Sequence, residues 1–505
     1  MLSLAVRNTG KLVREWAKSD NIRLGRLFTK KDVAALMASM PTLDPGREAY
    51  TILVPGAGTG ILAAAMVEAI CKASKNCRQI FVTCYENDER FLPMLENNLE
   101  RVRKKCRHDY DVRLFSTVYN EDYLTESKKH YTVTFFDAIP DKFDIVLINP
   151  PTELYEKTSP QALAVGGVTQ LKCSAAYLFA KLASSHLEDG GHLVTVLPTS
   201  VASSSAVKNF RIDMEAALKI RKIHLFVKKQ KNAKRAIPLG KNVIIAYEKN
   251  EEKRSIELST SADGASINEI VHLEPLPYDF VVDKEDASLT LPKSAEDAKI
   301  VKYISTFPDT LATLGLKMST GLVLDGRCEE MLFTEPIKNS IPLIRPAAIR
   351  NGQIAFPLPI KKQYIAPTNA SVIQKNKNMI IIKRVPAKSD ERFVNAAIYL
   401  AGQLPQYRYI STHNKINFID TKDKNGEICA RLAFGLFAIL NSTIYDRYIS
   451  IISKSKIISA KEFRDLPLPP RHIIENIGMR LMSLRQTSVA ACDGIINPTL
   501  HIIEK

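Results

Sequence analysis

Apolar residues over the first 250 positions alternate between two periodicities. Thr51–Val54, Ile80–Tyr85, Asp144–Ile148, His192–Leu197 and Val243–Tyr247 are short, rich in β-branched side chains and bounded by Gly, Pro or Asp, a pattern that predicts strands. Between them, Gly60–Ser74, Asp88–Lys105 and Leu171–Leu187 carry apolar residues three and four apart, as on a buried helix face. Strand–helix alternation predicts a doubly wound, Rossmann-like α/β sheet, whose ligands sit at the carboxyl ends of its strands. From Lys249 to Ser266 the pattern dissolves into a polar, aperiodic run, which sets an expected boundary between a first domain, 1–262, and a second, 263–505. The second half reads as mixed α+β. Met379–Lys383 and Ile416–Ile419 are strand-like there, and Phe393–Leu400 and Ala430–Leu440 are helical in spacing.

Composition narrows the classes. Lys and Arg outnumber Asp and Glu 70 to 54, and a formal charge of +16 on 505 residues favours a polyanionic partner. No apolar run approaches the ~18 residues of a membrane-spanning helix, so no membrane partner is expected. The eight cysteines form no CxxC pair, which argues against a zinc ribbon and a disulfide scaffold; no metal is expected and the thiols read as reduced and cytoplasmic. The first twenty residues fit an ordinary leading helix better than a targeting segment.

Ile52–Gly60, ILVPGAGTG, runs an apolar strand into a glycine-rich turn and then a helix. Gly56, Gly58 and Gly60 lack the Cβ atoms that would hold a ligand off the backbone, and a helix N-terminus offers free N–H groups. Alone, the signal is weak, since a tight strand–helix connection without a ligand reads the same way. The second strand ends at Glu86, where a carboxylate can accept from a ribose diol or simply serve the following helix N-terminus. After Val118–Tyr119, Asp122 can accept from an exocyclic amine or be a plain loop acid. The strand Asp144–Ile148 delivers Asn149-Pro150-Pro151-Thr152. Two prolines stiffen that corner, and the Asn149 amide oxygen with the Pro150 carbonyl can take both protons of a planar –NH2. Such a grip aims the nitrogen at an electrophile without a strong base.

FTKKD, VPGAGTG, YEND, NEDYL, INPPT and GGHLVTVLP together resemble, in content and order, the gamma-type (TaqI-like) DNA adenine-N6 methyltransferases of restriction–modification systems. The resemblance covers most of residues 22–250 and continues through STGLVLDGR, PLIRPAAIR, IKRVPAKSDERF and FAILNSTIYDRY, which resemble target-recognition domains. It implies an S-adenosylmethionine-dependent catalytic domain and a C-terminal DNA target-recognition domain. By it, Phe28 and Thr29 lie against the methionine end of the cofactor, Gly56, Ala57, Gly58 and Gly60 cradle that end, Glu86 takes the ribose and Asp122 the adenine. Pro55, Asn87, Tyr123 and Asn149 flank these and are expected at the same cofactor pocket. Asn149, Pro150, Pro151 and Thr152 match the catalytic loop, at which an adenine extruded from duplex DNA is methylated. The family's loop closes with Tyr or Phe to stack on the base; Thr152 stands here, leaving Tyr155 or Phe226 as the substitute ring.

Double-stranded DNA is the implied partner, with a companion restriction endonuclease left open and a bacterial, nucleoid-associated location expected. Arg221–Lys241 holds eight cations and no acid, and from it Lys228, Lys229, Lys231, Lys234 and Arg235 are expected to face phosphates. Pro336–Ser389 is also free of acids, and Arg345, Arg350, Lys383 and Arg384 are its expected DNA contacts. Two other readings compete: an Asn-Pro-Pro methyltransferase of RNA or of a protein amide, and a DNA-specificity protein with weakened catalysis.

Overall fold

The computed structural model describes residues 1–19, 29–130, 142–166, 172–227, 242–262, 270–368, 370–386, 390–423, 425–453 and 457–500. The backbone divides into two compact units, Met1–Ala295 and Glu296–Lys505.

The first unit is built on β1 (Ala49–Pro55), β2 (Gln79–Tyr85), β3 (Arg113–Tyr119), β4 (Phe143–Ile148), the two-residue strands β5 (Leu154–Tyr155) and β6 (Cys173–Ser174), β7 (Leu187–Pro198), β8 (Lys219–Val227), β9 (Asn242–Glu248), β10 (Glu257–Ala262) and β11 (Val271–His272). Among the described residues nine of these form one sheet in the order β3-β2-β1-β4-β7-β9-β8-β10-β11. β1 pairs in parallel with β2 and β4, β2 with β3, and β4 with β7. β9 and β11 run against the rest, since β9 is antiparallel to both β7 and β8, β10 is parallel to β8, and β11 is antiparallel to β10. β5 and β6 form a separate antiparallel hairpin. This is a Rossmann-like α/β sheet, and its order reverses between β1 and β4, the switch point at which such sheets open a crevice.

Helices α1 (Leu2–Ser19), α2 (Lys31–Ser39), α3 (Ile61–Ala73) and α4 (Leu92–Tyr110) belong to the β1–β3 half. α3 is apolar almost all round, ILAAAMVEAICKA, because it is enclosed. It shares one core with Met1, Leu2 and Ala5 of α1, Met37 of α2, Leu95 and Leu99 of α4, and the strand residues Ile52, Ile80 and Ile145. The leading segment is thus a helix docked into the core. α5 (Tyr123–His130), α6 (Pro160–Val165), α7 (Ala175–Ser184) and α8 (Lys208–Ala217) complete the unit's longer helices.

All five expected strands are present. β8 is a strand that periodicity misses, because Lys219, Arg221 and Lys222 interrupt its apolar run; in the fold they pair with Glu215, Glu248 and Glu257. The domain boundary also moves. The polar run after Lys249 is no linker, since Glu257–Ala262 adds to the sheet beside β8. Beyond it the chain packs back, with Leu289 N–H donating to the Ala202 carbonyl (2.8 Å) and Arg211 Nε–H to the Asp286 carbonyl (3.1 Å). The first unit therefore ends at Ala295 and not at 262.

In the second unit the described residues form a six-stranded and a five-stranded sheet. Met379–Lys383 lies between Ile416–Thr421 and Ala396–Tyr399, antiparallel to both. Ala396–Tyr399 falls inside the helix expected at Phe393–Leu400: AAIY is buried at every position, and a fully buried strand carries no alternation to distinguish it from a helix. The expected helix at Ala430–Leu440 is present as Ala430–Asn441, and it crosses Arg471–Leu484 with the two backbones touching. A Cβ on Gly435 would collide with the Ile474 carbonyl oxygen, so only glycine fits there. No described helix is long and apolar enough to cross a membrane.

Candidate active site

The carboxyl ends of β3, β2, β1 and β4 line up along one edge. β1 and β2 are in register with Pro55 opposite Tyr85, so the next rung sets Gly56 level with Glu86. Ile52 and Leu53 pair with Ile145 and Val146, and the same offset of 93 residues brings Asn149 level with Gly56 (145 − 52 = 149 − 56). The Glu86 N–H donates to the Tyr119 carbonyl at 3.0 Å, tying the β2 tip to the β3 tip, three residues before Asp122. The expected residues of the turn, the two acids and the Asn-Pro-Pro corner thus share one rim at the switch point.

The turn between β1 and α3 is held open by its own backbone. Gly56, Gly58 and Gly60 have φ of +65°, +56° and +80°, a left-handed region that glycine enters without penalty. At Gly60 space matters as well, since a Cβ would lie 2.8 Å from Leu95 Cδ1. Ala57 N–H donates to the Tyr85 carbonyl (2.9 Å) and Gly58 N–H to Glu86 Oε2 (2.6 Å). Pro55 is buried beneath the turn and Phe179 lies 3.7 Å from the Cβ position of Gly56.

Behind the turn stands a buried polar brace. Asn98 Nδ2–H donates to the Thr59 carbonyl (2.9 Å), Asn8 Nδ2–H donates to Asn98 Oδ1 (2.8 Å), and the Thr9 and Thr59 hydroxyls are 2.7 Å apart. Sequence reasoning misses Asn8, Thr9 and Asn98. The signal is faint: three short polar residues on the apolar faces of α1 and α4, where an unpaired polar group would be costly.

Glu86 is 6% exposed. Besides Gly58, it takes the Asp88 N–H on Oε1 at 2.9 Å. Burial pushes its pKa above the ordinary value, while the N–H donors of Asp88 and Gly58 pull the other way. The helix-entry role falls to Asp88, whose side chain caps the following turn by accepting from Arg90 N–H. Asn87 is exposed at the same strand tip.

Asp122 caps α5, with Oδ1 accepting from Leu124 N–H at 2.9 Å. Its Oδ2 accepts from Gln161 Nε2–H at 2.9 Å. Gln161 is on α6, in the stretch that follows the Asn-Pro-Pro corner, so one short piece of chain spans from Asn149 to the carboxylate of Asp122. Tyr123 departs from its expected place: at 2% exposure its hydroxyl meets His186 Nδ1 (2.8 Å) and its ring packs on Tyr85 and Phe179. As the first residue of α5 it turns under the strand tips, supporting the rim from below.

β4 is buried at all six positions and is pinned at its base by Asp144, which accepts from Thr51 N–H and Oγ1–H and pairs with Arg47. At its other end Asn149 Nδ2–H donates to Thr29 Oγ1 at 2.9 Å. That bond fixes the amide: its nitrogen faces Thr29, and Oδ1 is the end left to accept. Neither Asn149 Oδ1 nor the Pro150 carbonyl has a hydrogen-bond partner among the described residues. Pro151 and Thr152 are exposed. Phe28 lies outside the described residues.

Of the two substitute rings, Phe226 is excluded. It is 6% exposed, T-shaped against His224, and part of the core with Ile244 and Ala246. Tyr155 is half-buried on the β5–β6 hairpin, its hydroxyl donating to Glu153 Oε2 at 2.9 Å; burial and that carboxylate both raise its pKa.

Among the expected DNA contacts, Lys228, Lys229, Lys231, Lys234 and Arg235 lie outside the described residues. Arg345 and Lys383 are corrected: Arg345 is held by Asp325 (2.6 and 3.2 Å) and Lys383 by Asp390 (2.7 Å). In both cases the partner is an acid that flanks the acid-free stretch in sequence. Arg384 donates to the Asn414 carbonyl (3.3 Å), and Arg350 is exposed.

No family model matches the sequence. Over 501 residues it is 27% identical to the Type II methyltransferase M.PstI of Providencia stuartii, covering 95% of this chain and 94% of that protein. It is 25% identical over 466 residues to the Type II methyltransferase M.BsuBI of Bacillus subtilis, covering 90% and 89%. Among solved structures it is similar to the type IIL restriction–modification enzyme MmeI in complex with DNA (TM-score 0.42, 11% identity, 100% of this chain and 74% of that one). It is also similar to the type IIG restriction endonuclease BpuSI (TM-score 0.41, 10% identity, 94% and 65%).

Proposed function

We propose that the chain is a DNA methyltransferase of the Type II restriction–modification kind, and that it transfers a methyl group from S-adenosylmethionine to N6 of an adenine turned out of duplex DNA. The observation that carries this reading is the Asn149 amide, oriented by Thr29 and standing level with Gly56 at the sheet's switch point. The relatives along nearly the whole chain support DNA as the substrate.

The residues present fit the cofactor. A Cβ at Gly60 would collide with Leu95, so the turn keeps a bare backbone, and a buried carboxylate, Glu86, stands at the next strand tip. Thr29 and Gly56–Gly60 would hold its methionine end, Glu86 its ribose and Asp122 its adenine amine. When bound, S-adenosylmethionine supplies an electrophilic methyl group. The chain's own part is orientation: Asn149 Oδ1 and the Pro150 carbonyl accept the two amine protons, which fixes the plane of the target nitrogen and directs its lone pair. The stiff Pro150-Pro151 backbone keeps these acceptors in place. The amine proton leaves to water. Tyr155 is the ring that stacks where the family's loop aromatic would stand.

The experiment is transfer of labelled methyl groups to mixed-sequence duplex DNA, RNA and protein, followed by nucleoside analysis. N6-methyladenine in DNA is expected; label in RNA or protein, or N4-methylcytosine, would overturn the reading. Asn149→Ala should abolish transfer while changing affinity for S-adenosylhomocysteine by less than about threefold, because the missing acceptor faces the target amine.

A further inference from the structure

We infer that the second unit carries a phosphate-binding basin, centred on Arg392 and Arg485, which grips the DNA backbone. The inference rests on the reading of DNA as substrate. The basin measures about 650 Å³ and is lined by Asn351, Arg392, Asn395, Asn441, Arg485 and Ser488, among others. Its lining contains two guanidinium groups, six amide and hydroxyl residues besides, and no carboxylate.

Three observations bear on the sign of the basin. Arg392 Nε is buried and makes no hydrogen bond, although Nη2 donates to the Ser442 carbonyl at 3.1 Å. Its ion-pair partner, Asp446, stands 3.8 Å from Nη2 and is already engaged by the Val394 N–H at 2.6 Å. A buried donor with no partner is rare in a folded interior, and here it leaves the guanidinium only partly neutralised. Next, Arg485 is exposed at the end of the helix Arg471–Leu484, and Arg350 is exposed immediately before Asn351 on the rim. No described carboxylate lies within ion-pairing distance of either. Finally, the helix Val489–Thr499 starts at the basin with Ser488 as its cap, where its positive end offsets the negative end of the helix Arg471–Leu484, so the sign of the basin is set by its arginines.

Of the cations singled out in the acid-free stretch, Arg345 and Lys383 are internally paired; Arg350 has no described carboxylate within ion-pairing distance, and the same holds for Arg485, while Arg392 has Asp446 at 3.8 Å. The last two lie outside that stretch and come together only by folding. The chemistry is that of a phosphate oxygen: a planar donor fork, amide and hydroxyl donors and net positive charge. A DNA phosphodiester and a free phosphate share that chemistry; we commit to DNA, and the test separates them.

The test uses the full chain and a mixed-sequence duplex, with affinity read by fluorescence anisotropy over a salt series. Arg485→Gln should weaken binding alike on every sequence and lower the magnitude of the log–log salt slope by about 0.9 for each phosphate it no longer neutralises. Arg485→Lys should keep the slope, because a point charge still displaces a counterion. Arg392→Gln is the second variant, and a melting curve reports whether it stays folded. In a parallel arm, inorganic phosphate and pyrophosphate are titrated against the wild-type melting temperature. An unchanged DNA slope in Arg485→Gln and folded Arg392→Gln overturns the proposal, whether or not phosphate stabilises the chain; stabilisation would then assign the basin to a free phosphate. If the wild-type chain does not bind DNA at all, the functional reading fails instead.

Discussion

Replacing Glu86 with Gln tests whether the carboxylate that braces the turn also takes the ribose. In the folded chain Glu86 accepts from Gly58 N–H and Asp88 N–H, one on each oxygen. A glutamine offers one acceptor and points an –NH2 at the other donor. Leaving a buried backbone donor unpaired costs about 1–3 kcal/mol, and this part appears as reduced stability. Removing one charge-assisted bond to a ribose hydroxyl costs about 1.5–3 kcal/mol, or roughly 10- to 150-fold in affinity. The pH dependence separates the two. Burial raises the Glu86 pKa, so the cofactor-free folded chain binds the proton more tightly than the unfolded one, and this group's contribution to stability falls as pH rises through the window above the ordinary carboxylate value. Ribose binding needs the ionised form, so affinity for S-adenosylhomocysteine should rise through the same window in the wild type and stay flat in Glu86→Gln. Isothermal titration calorimetry across that range measures both. An affinity within twofold of wild type, together with a flat wild-type profile, would refute the ribose assignment and reduce Glu86 to a brace for the turn.

Gly60→Ala forces a Cβ into φ +80° and to 2.8 Å from Leu95 Cδ1, so the first unit should lose about 1–2 kcal/mol from the backbone alone, with a further loss at Leu95. A melting temperature equal to wild type would contradict the turn as described. Gln161→Ala removes the donor to Asp122 Oδ2 and should raise the cofactor KM roughly tenfold with kcat nearly unchanged, since the Gln161 amide bonds to Asp122 and not to Asn149. Steady-state kinetics with cofactor varied decides it, and a fall in kcat alone would point away from the adenine end.

Legibility from sequence differs between the two units. In the first, motif order was enough to bring the candidate residues to one rim, because parallel strands joined by right-handed crossovers leave their carboxyl ends on one edge. Gly56, Glu86, Asp122 and Asn149 had nowhere else to go once the alternation was read. Tyr123 shows the limit, since the residue beside a site acid turned inward as the first residue of its helix.

What the amino-acid order determined by itself was local and periodic: the five strands, the glycine turn, the stiff Asn-Pro-Pro corner and the leading helix. Folding alone decided which groups meet across long sequence distances. It set Thr29 on the Asn149 amide, Gln161 on Asp122 and Asn98 behind Thr59, buried Phe226, and paired Arg345 with Asp325 while leaving Arg392 Nε without a partner. The physical reason is that a hydrogen bond or an ion pair acts over a few ångströms, and no spacing rule along a chain says which side chains the packing of a core will bring that close.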